Sequence, residues 1–199
     1  MNLVEMSTIS VFDLPIQAFR DHLRAGTGFA EDTLQDSMLE AVLRASLAAI
    51  EARIGKALFA RNYRWTVSGW RSPEEQALPI APVTAITGVL TLNRSGETTS
   101  HDSNQILLVE DLQRPMMRAA LSALPSIPAG GTAEVTFTAG YGATWDDIPA
   151  DLRQAVLCLA AYFYENRGDA ALDDGNMPFQ VTVLTERYRT VRILGGSAA

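Results

Sequence analysis

Two long helical patterns enclose a central stretch of strand-like sequence, and this order constrains the fold more than any other feature. Residues 31–54 and 149–167 repeat apolar side chains at helical spacing, and each segment shows more apolar surface than one partner helix can cover. The first segment has a main stripe and a second stripe, and the second segment has one apolar face: respectively Leu39, Leu43, Leu47, Ile50 and Ile54; Leu34, Met38 and Val42; and Leu152, Val156, Leu159 and Phe163. Residues 56–140 alternate apolar and polar side chains between turns rich in Pro and Gly, as antiparallel strands do. Helices and strands are thus segregated, which predicts an α+β fold: a helical bundle of two long helices plus short helices, with an antiparallel β-sheet inserted between the long helices.

Shorter patterns place the remaining elements. A short helix is expected after Asp13, a plausible N-cap before Pro15, which leaves residues 1–12 as an N-terminal extension. Residues 83–109 suggest one hairpin, and residues 132–139 the last strand of the same sheet.

Charge and composition exclude several classes of protein. The formal net charge of -7 and the pI near 4.8 disfavour a protein that grips DNA over a broad surface, because neutralising phosphates needs clustered Lys and Arg. The single cysteine, Cys158, lies among apolar residues and is predicted to be a reduced core residue. No secretory signal and no long apolar run are recognisable, so the chain is expected to fold in a cytoplasm and to contact no membrane.

The Gly140-Tyr141-Gly142 turn raises the question of a phosphate-binding loop. It follows a strand and precedes a helix, as such loops do, but it lacks the third glycine or the lysine of the common motifs. Asp146 and Asp147 would also repel an anion there. The turn is therefore predicted to be a structural corner.

The sequence contains few residues that could act in catalysis. The chain has two histidines without partners by spacing, no calcium loop and no nucleophile elbow, which predicts no catalytic, cofactor or metal site. Two alternatives stay open. One is a small enzyme with a site near Tyr141 and Trp145, and the other is a ligand- or peptide-binding module that uses a sheet face with Trp65 and Trp70.

The chain resembles the head-tail connector, or adaptor, proteins of long-tailed phages and phage-like gene transfer agents. The resemblance covers about residues 13–193 and rests on the helix LEAVLRASLAAIEARIGKAL, the strand RNYRWTV, the phrase LPIAPVTAITGVLTLN, the run from VTFTAGYG to AAYFYENR, and the ending ERYRTVRI. The sequence departs from the family's pattern at Ile80-Ala81, where a basic residue and a proline are common.

This resemblance implies a structural protein of a virion or phage-like particle, assembled in the bacterial cytoplasm and located at the head-tail junction. It implies a homo-oligomeric ring of about twelve copies, bound to the portal protein on one side and to a stopper or tail terminator protein on the other. DNA would pass through the channel without tight binding. The resemblance implies no enzymatic activity or cofactor. From their excess of apolar surface, the two long helices are expected to pack on each other and to form much of the contact between subunits.

Residues 179–199 are expected to form a C-terminal arm. Val181, Leu184, Tyr188 and Val191 recur at helical spacing, and three arginines flank them. Because such connectors use a C-terminal arm to engage the portal, the resemblance implies a portal-binding role for Leu184, Arg187, Tyr188, Arg189, Val191 and Arg192. The alternative is that this basic segment folds back onto the acidic body of its own chain.

Overall fold

The structure, a computed structural model, describes residues 2–24, 36–166 and 177–189. Its fold is α+β, as the segregated sequence patterns predict.

The chain divides into two compact units, described separately below. The sheet unit comprises residues 1–15 and 56–149, and the helical unit comprises residues 16–55 and 150–199.

The sheet unit contains two antiparallel sheets among its described residues. Strands β1, β2, β8, β4 and β5 form a five-stranded sheet in that order, and β3, β7 and β6 form a three-stranded sheet. The strands are β1 (Asn2–Glu5), β2 (Arg61–Val67), β3 (Glu75–Ala77), β4 (Val83–Leu92), β5 (Thr98–His101), β6 (Ile106–Val109), β7 (Met116–Ala119) and β8 (Thr132–Ala139).

Strands β2 and β8 carry the core of the larger sheet. Their inward side chains alternate with more exposed ones, which is the period-two pattern that the sequence shows. Tyr63 lies opposite Phe137 with the rings stacked 5.8 Å apart, and Trp65 lies opposite Val135. Trp65 is therefore a core residue rather than part of an open binding face.

The prediction of one sheet and one long hairpin is wrong. Strand β4 pairs with β5, whereas β6 leaves that sheet and pairs with β7. The physical reason is composition: β5 is polar and exposed, as suits an edge strand, while the apolar side chains of β6 need a covering neighbour. The start of the predicted N-terminal extension also joins the larger sheet, because β1 pairs with β2.

The helical unit has four α-helices among its described residues. Helix α2 packs against α3, α1 contacts both of them, and α4 packs against α3. The helices are α1 (Ile16–Arg24), α2 (Asp36–Ile54), α3 (Ala150–Glu165) and α4 (Phe179–Thr185).

The main stripe of α2 is buried as predicted, but its second stripe is not. Leu39, Leu43 and Leu47 are all buried in the helical unit, whereas Met38 is 41% exposed and Val42 is half-buried. Only one side of α2 is thus fully covered within its own unit.

Two residues expected in the core of α3 are only half-buried. Cys158 and Phe163 both retain solvent exposure, whereas Leu152, Val156 and Leu159 are buried. The predicted α3 core is therefore wrong for Cys158 and Phe163, because they lie toward the edge of the buried face.

Truncation of Leu43 tests this assignment of the core. Leu43→Ala is expected to lower the free energy of unfolding by about 2–5 kcal/mol, because it leaves a cavity in a fully buried site. Met38→Ala, on the same helix, should change it by no more than about 0.5–1 kcal/mol. Chemical denaturation of both variants measures the difference, and equal effects would contradict the assignment.

Candidate partner-binding arm

Two of the backbone N–H groups in the Gly140-Tyr141-Gly142 turn donate within the fold. The N–H of Gly140 donates to the carbonyl oxygen of Pro82 at 2.9 Å, and the N–H of Tyr141 donates to that of Leu58 at 3.1 Å. These amides are consequently not available to a phosphate, and the prediction of a structural corner is confirmed.

The residues after the corner support the same conclusion. The Asp147 carboxylate accepts hydrogen bonds from the backbone N–H and the hydroxyl of Thr144, at 2.8 and 2.9 Å. These bonds lower the pKa of Asp147, so a negative charge is held where an anion would have to bind. Trp145 stacks on Phe59 with ring centroids 6.3 Å apart, a packing contact.

Neither a cluster of metal-ligating side chains nor a membrane-spanning helix occurs in the part of the chain that the structure describes. Within residues 2–24, 36–166 and 177–189, no group of three or more His, Cys, Asp or Glu side chains is placed to hold a metal ion. None of the described helices is long and apolar enough to span a lipid bilayer.

The described part of the arm begins with α4, which packs on α3. Val181 and Thr185 form the inner face of α4 and are both fully buried. The Thr185 hydroxyl donates to the carbonyl oxygen of Val181 at 2.8 Å, which satisfies a buried polar group within the helix itself. Helix α4 ends there, and a single 3-10 turn, Glu186–Tyr188, follows.

Asp151 in the first turn of α3 holds this 3-10 turn. Its carboxylate accepts a hydrogen bond from the Tyr188 hydroxyl at 2.7 Å and pairs with the Arg187 guanidinium at 2.8 Å. The guanidinium also lies over the Tyr188 ring, 4.7 Å from its centroid. Burial raises the pKa of Tyr188, and the Asp151 carboxylate also raises it while Arg187 opposes the rise, so the hydroxyl stays a donor.

Arg53 at the end of α2 provides a second contact to the arm. Its Nε donates to the Thr185 hydroxyl at 3.1 Å, and its guanidinium lies 3.7 Å from the Glu186 carboxylate. A cation in the last turn of α2 also interacts favourably with the negative end of that helix dipole. The described arm is thus tied to both long helices.

Comparison with known proteins gives matches among solved structures. One is a chain in the neck of an empty gene transfer agent particle, determined with C6 symmetry, and another is a chain in the virion of the native gene transfer agent particle. Each of these chains is 46% identical to this one, and each superposes on it with a TM-score of 0.88. Both alignments cover 98% of this chain and 99% of the matched chain. The chain belongs to the head-tail connector family of phage-like gene transfer agents.

A third solved structure extends this comparison. It is a chain in the neck of the native gene transfer agent particle, determined with C12 symmetry, with 43% identity, 98% and 99% coverage and a TM-score of 0.84. No protein-family model and no curated protein matches the chain.

The structure brings part of the predicted portal-binding set together in this connector. Arg187 and Tyr188 meet at Asp151, while Leu184 is half-buried on α4. Arg189 is half exposed and pairs with Glu186 at 3.1 Å. The remaining two residues of the set, Val191 and Arg192, lie outside the described residues.

The predicted amphipathic helix is wrong between Leu184 and Tyr188, and the part of it at Val191 lies outside the described residues. Thr185, not Leu184, is the buried residue of the next turn, and the change to a 3-10 turn ends the helical spacing before Tyr188. The described arm folds back onto its own chain, the alternative that the sequence leaves open. The apolar periodicity of the sequence does not reveal a buried threonine, because threonine is polar. Its hydroxyl can nevertheless be buried, since it donates to a backbone carbonyl oxygen of the same helix.

The outer face of α4 carries residues that sequence reasoning missed. Phe179 is 83% exposed and Val183 is 58% exposed, and their spacing of four places them on one side of the helix. Their spacing of four is visible in the sequence, but the stripe that begins at Val181 has the same helical spacing and indicates a different face.

Proposed function

We propose that this connector forms a ring of about twelve copies in the neck of a phage-like particle, between the capsid portal and the tail. The match to neck chains carries the proposal, because it extends over 98% of this chain at 46% identity. The C12 and C6 symmetries of the matched necks support a cyclic assembly. The role is structural, because the matched chains are components of the particle's neck and virion.

The number of copies per particle tests this proposal. Quantitative mass spectrometry of purified particles is expected to find about twelve copies of the connector, as a C12 neck requires. The major capsid protein provides an internal reference for particle number. One or two copies per particle would contradict a ring and would favour a minor component such as an enzyme.

DNA is proposed to pass through the channel of the ring without being held. The net charge of -7 supports this, since acidic or neutral side chains repel or ignore phosphates, whereas a basic lining would bind DNA. We expect the purified connector to show no salt-dependent binding to labelled duplex DNA in fluorescence anisotropy. A binding constant that falls linearly with salt on a logarithmic scale would contradict this, and a basic DNA-binding protein is the positive control.

The arm is proposed to engage the portal, with a stopper or tail terminator protein on the tail side of the ring. Leu184, Arg189, Val191 and Arg192 would contact the portal directly, in a groove with acidic edges. Arg187 and Tyr188 would contribute only after exchanging Asp151 for a portal carboxylate. Because both residues contact Asp151, they can bind the portal only if the arm rearranges.

A further inference from the structure

Strand β6 is an edge strand of the three-stranded sheet, and its sequence, ILLV, is entirely apolar. Edge strands of soluble proteins are usually short or polar, because an open apolar edge pairs readily with another chain. Strands β3 and β5, which are also edge strands of the sheet unit, follow this rule with the sequences EQA and TTSH. The apolar edge at β6 therefore suits a binding surface.

The backbone of β6 has unpaired groups along this edge. The Ala120 N–H donates to the carbonyl oxygen of Gln105 at 2.8 Å, and β6 runs antiparallel to β7 in the same register. Because bonded and non-bonded pairs alternate along such a ladder, the N–H and C=O groups of Ile106 and Leu108 point away from β7. The structure describes all of the sheet unit except residue 1, and no described residue bonds to these groups. Alternating donors and acceptors of this kind are what an added strand binds.

The side chains of β6 are apolar on both faces of the sheet. Ile106 is buried and Leu108 is partly buried, both against the core of the sheet unit, whereas Leu107 is 52% exposed on the outer face. Arg118 lies opposite Leu107, but its guanidinium pairs with the Glu75 carboxylate at 3.0 Å. A strand added beside β6 would thus bury apolar surface on both of its faces while pairing its backbone.

Acidic side chains lie in the sequence on both sides of β6. Glu110 follows the strand directly, and Asp102 precedes the 3-10 turn that leads into it. The Asp102 carboxylate accepts a hydrogen bond from the Asn104 N–H at 2.9 Å, which fixes it before the strand. Both carboxylates are exposed, and neither forms an ion pair with a described residue. They favour a strand that carries a cation at each end, whichever way it runs.

The same charges disfavour a second copy of this chain as the occupant. Antiparallel pairing of two β6 strands would bring Glu110 of one copy toward Asp102 of the other, and parallel pairing would bring identical carboxylates together. Among the other edge strands, β3 and β5 are polar and β1 ends at the acidic Glu5.

We propose that the open edge of β6 binds an extended segment of another protein, which adds a strand to the three-stranded sheet. The segment is a short apolar run with a lysine or arginine at each end. Ile106 and Leu108 supply the backbone hydrogen bonds, and Asp102 and Glu110 select the charged ends. Because this surface lies within the sheet unit, the proposal depends neither on the ring nor on the arm.

Amide hydrogen exchange, measured by NMR spectroscopy, tests this surface with a synthetic peptide. The probe alternates valine and threonine and has lysines at both ends. It is expected to slow exchange at the Ile106 and Leu108 amides by about tenfold, since each gains a hydrogen bond, and to affect the already bonded Leu107 amide less. A fully N-methylated peptide of the same sequence, which has no backbone donors, should have no effect. Unchanged exchange with the unmethylated probe would overturn the proposal.

Variants of β6 separate backbone pairing from loss of a side chain. Leu108→Pro removes the outward N–H, which an edge strand tolerates, and Leu108→Ala is the matched control that keeps it. The proline variant is expected to bind the probe about tenfold more weakly than the alanine variant, with thermal denaturation as the check of folding. Equal binding by the two folded variants would contradict strand addition. Asp102→Asn combined with Glu110→Gln should abolish the preference for the probe over a peptide with glutamates at its ends, and an unchanged preference would contradict the assigned role of the two carboxylates.

The particle itself provides the last test. Hydrogen exchange over residues 106–109, followed by mass spectrometry, is expected to be slower in purified particles than in the free protein. Equal exchange would mean that the edge stays open after assembly, which would contradict the proposal. Protection that rises with the concentration of the free protein alone would identify a second copy as the occupant and would also overturn it.

Discussion

Removing residues 190–199 is expected to leave a folded connector that no longer attaches to portal-bearing heads. Val181 and Thr185 stay buried against α3 in such a variant, and Asp151 still holds Arg187 and Tyr188. The lost segment contains Val191 and Arg192, which are proposed to contact the portal. Thermal denaturation checks the fold, and co-sedimentation with purified heads that carry the portal but lack this connector checks attachment. Unchanged attachment of the shortened chain would contradict the proposed arm.

A longer deletion would not answer the same question. Removing residues 179–199 takes away Val181, whose burial alone contributes about 1.5–3 kcal/mol. Loss of attachment would then have two causes, unfolding and loss of contact. The matched control is a variant in which a Gly/Ser segment of equal length replaces residues 190–199. It should fail to attach, and restoring Val191 and Arg192 within that segment should recover part of the binding.

Gly140→Ala is expected to destabilise the sheet unit by roughly 3 kcal/mol or more. Gly140 has φ of 137°, a backbone conformation that L-residues rarely adopt. A Cβ at this position would also lie 2.3 Å from the carbonyl oxygen of Phe59, which belongs to the backbone and cannot move aside easily. Chemical denaturation of the variant measures the change in the free energy of unfolding.

Gly69→Ala is the control for this substitution. A Cβ at Gly69 would meet no heavy atom within 4 Å, so the change should be neutral or slightly stabilising, by about 0.4–1 kcal/mol. Similar stability losses in both variants would show that the close approach at Gly140 is not the cause. A large loss confined to Gly140→Ala would establish the turn as a steric requirement of the fold.

The glycine corner is predictable from the sequence only in part. The missing third glycine and the two aspartates already argue against a phosphate loop, because binding chemistry depends on residue types that can be read directly. Which carbonyl oxygens accept from Gly140 and Tyr141 depends on Pro82 and Leu58, which are distant in sequence. Only the folded chain brings those partners together.

The surroundings of the arm and of Phe12 cannot be inferred from the local sequence. The apolar spacing after Val181 indicates a helix, but whether that helix faces its own chain or a partner depends on Asp151 and Arg53, far from it in sequence. Likewise, Phe12 and Phe19 both lie near the N-terminus, yet Phe12 is exposed and Phe19 is buried. Their difference in burial comes from neighbours that the fold supplies.

The sequence by itself determined the elements of this protein: the striped helix α2, the alternating strands β2 and β8, and their segregation into an α+β fold. These follow from the local periods of helix and strand, which short stretches of chain express without help. Only the tertiary structure decided that β6 pairs with β7, that the described arm closes on Asp151, and that Phe12 is left outside. Each of these depends on which residues, distant in sequence, pack against a given surface. That packing is decided by the whole folded chain rather than by any one segment.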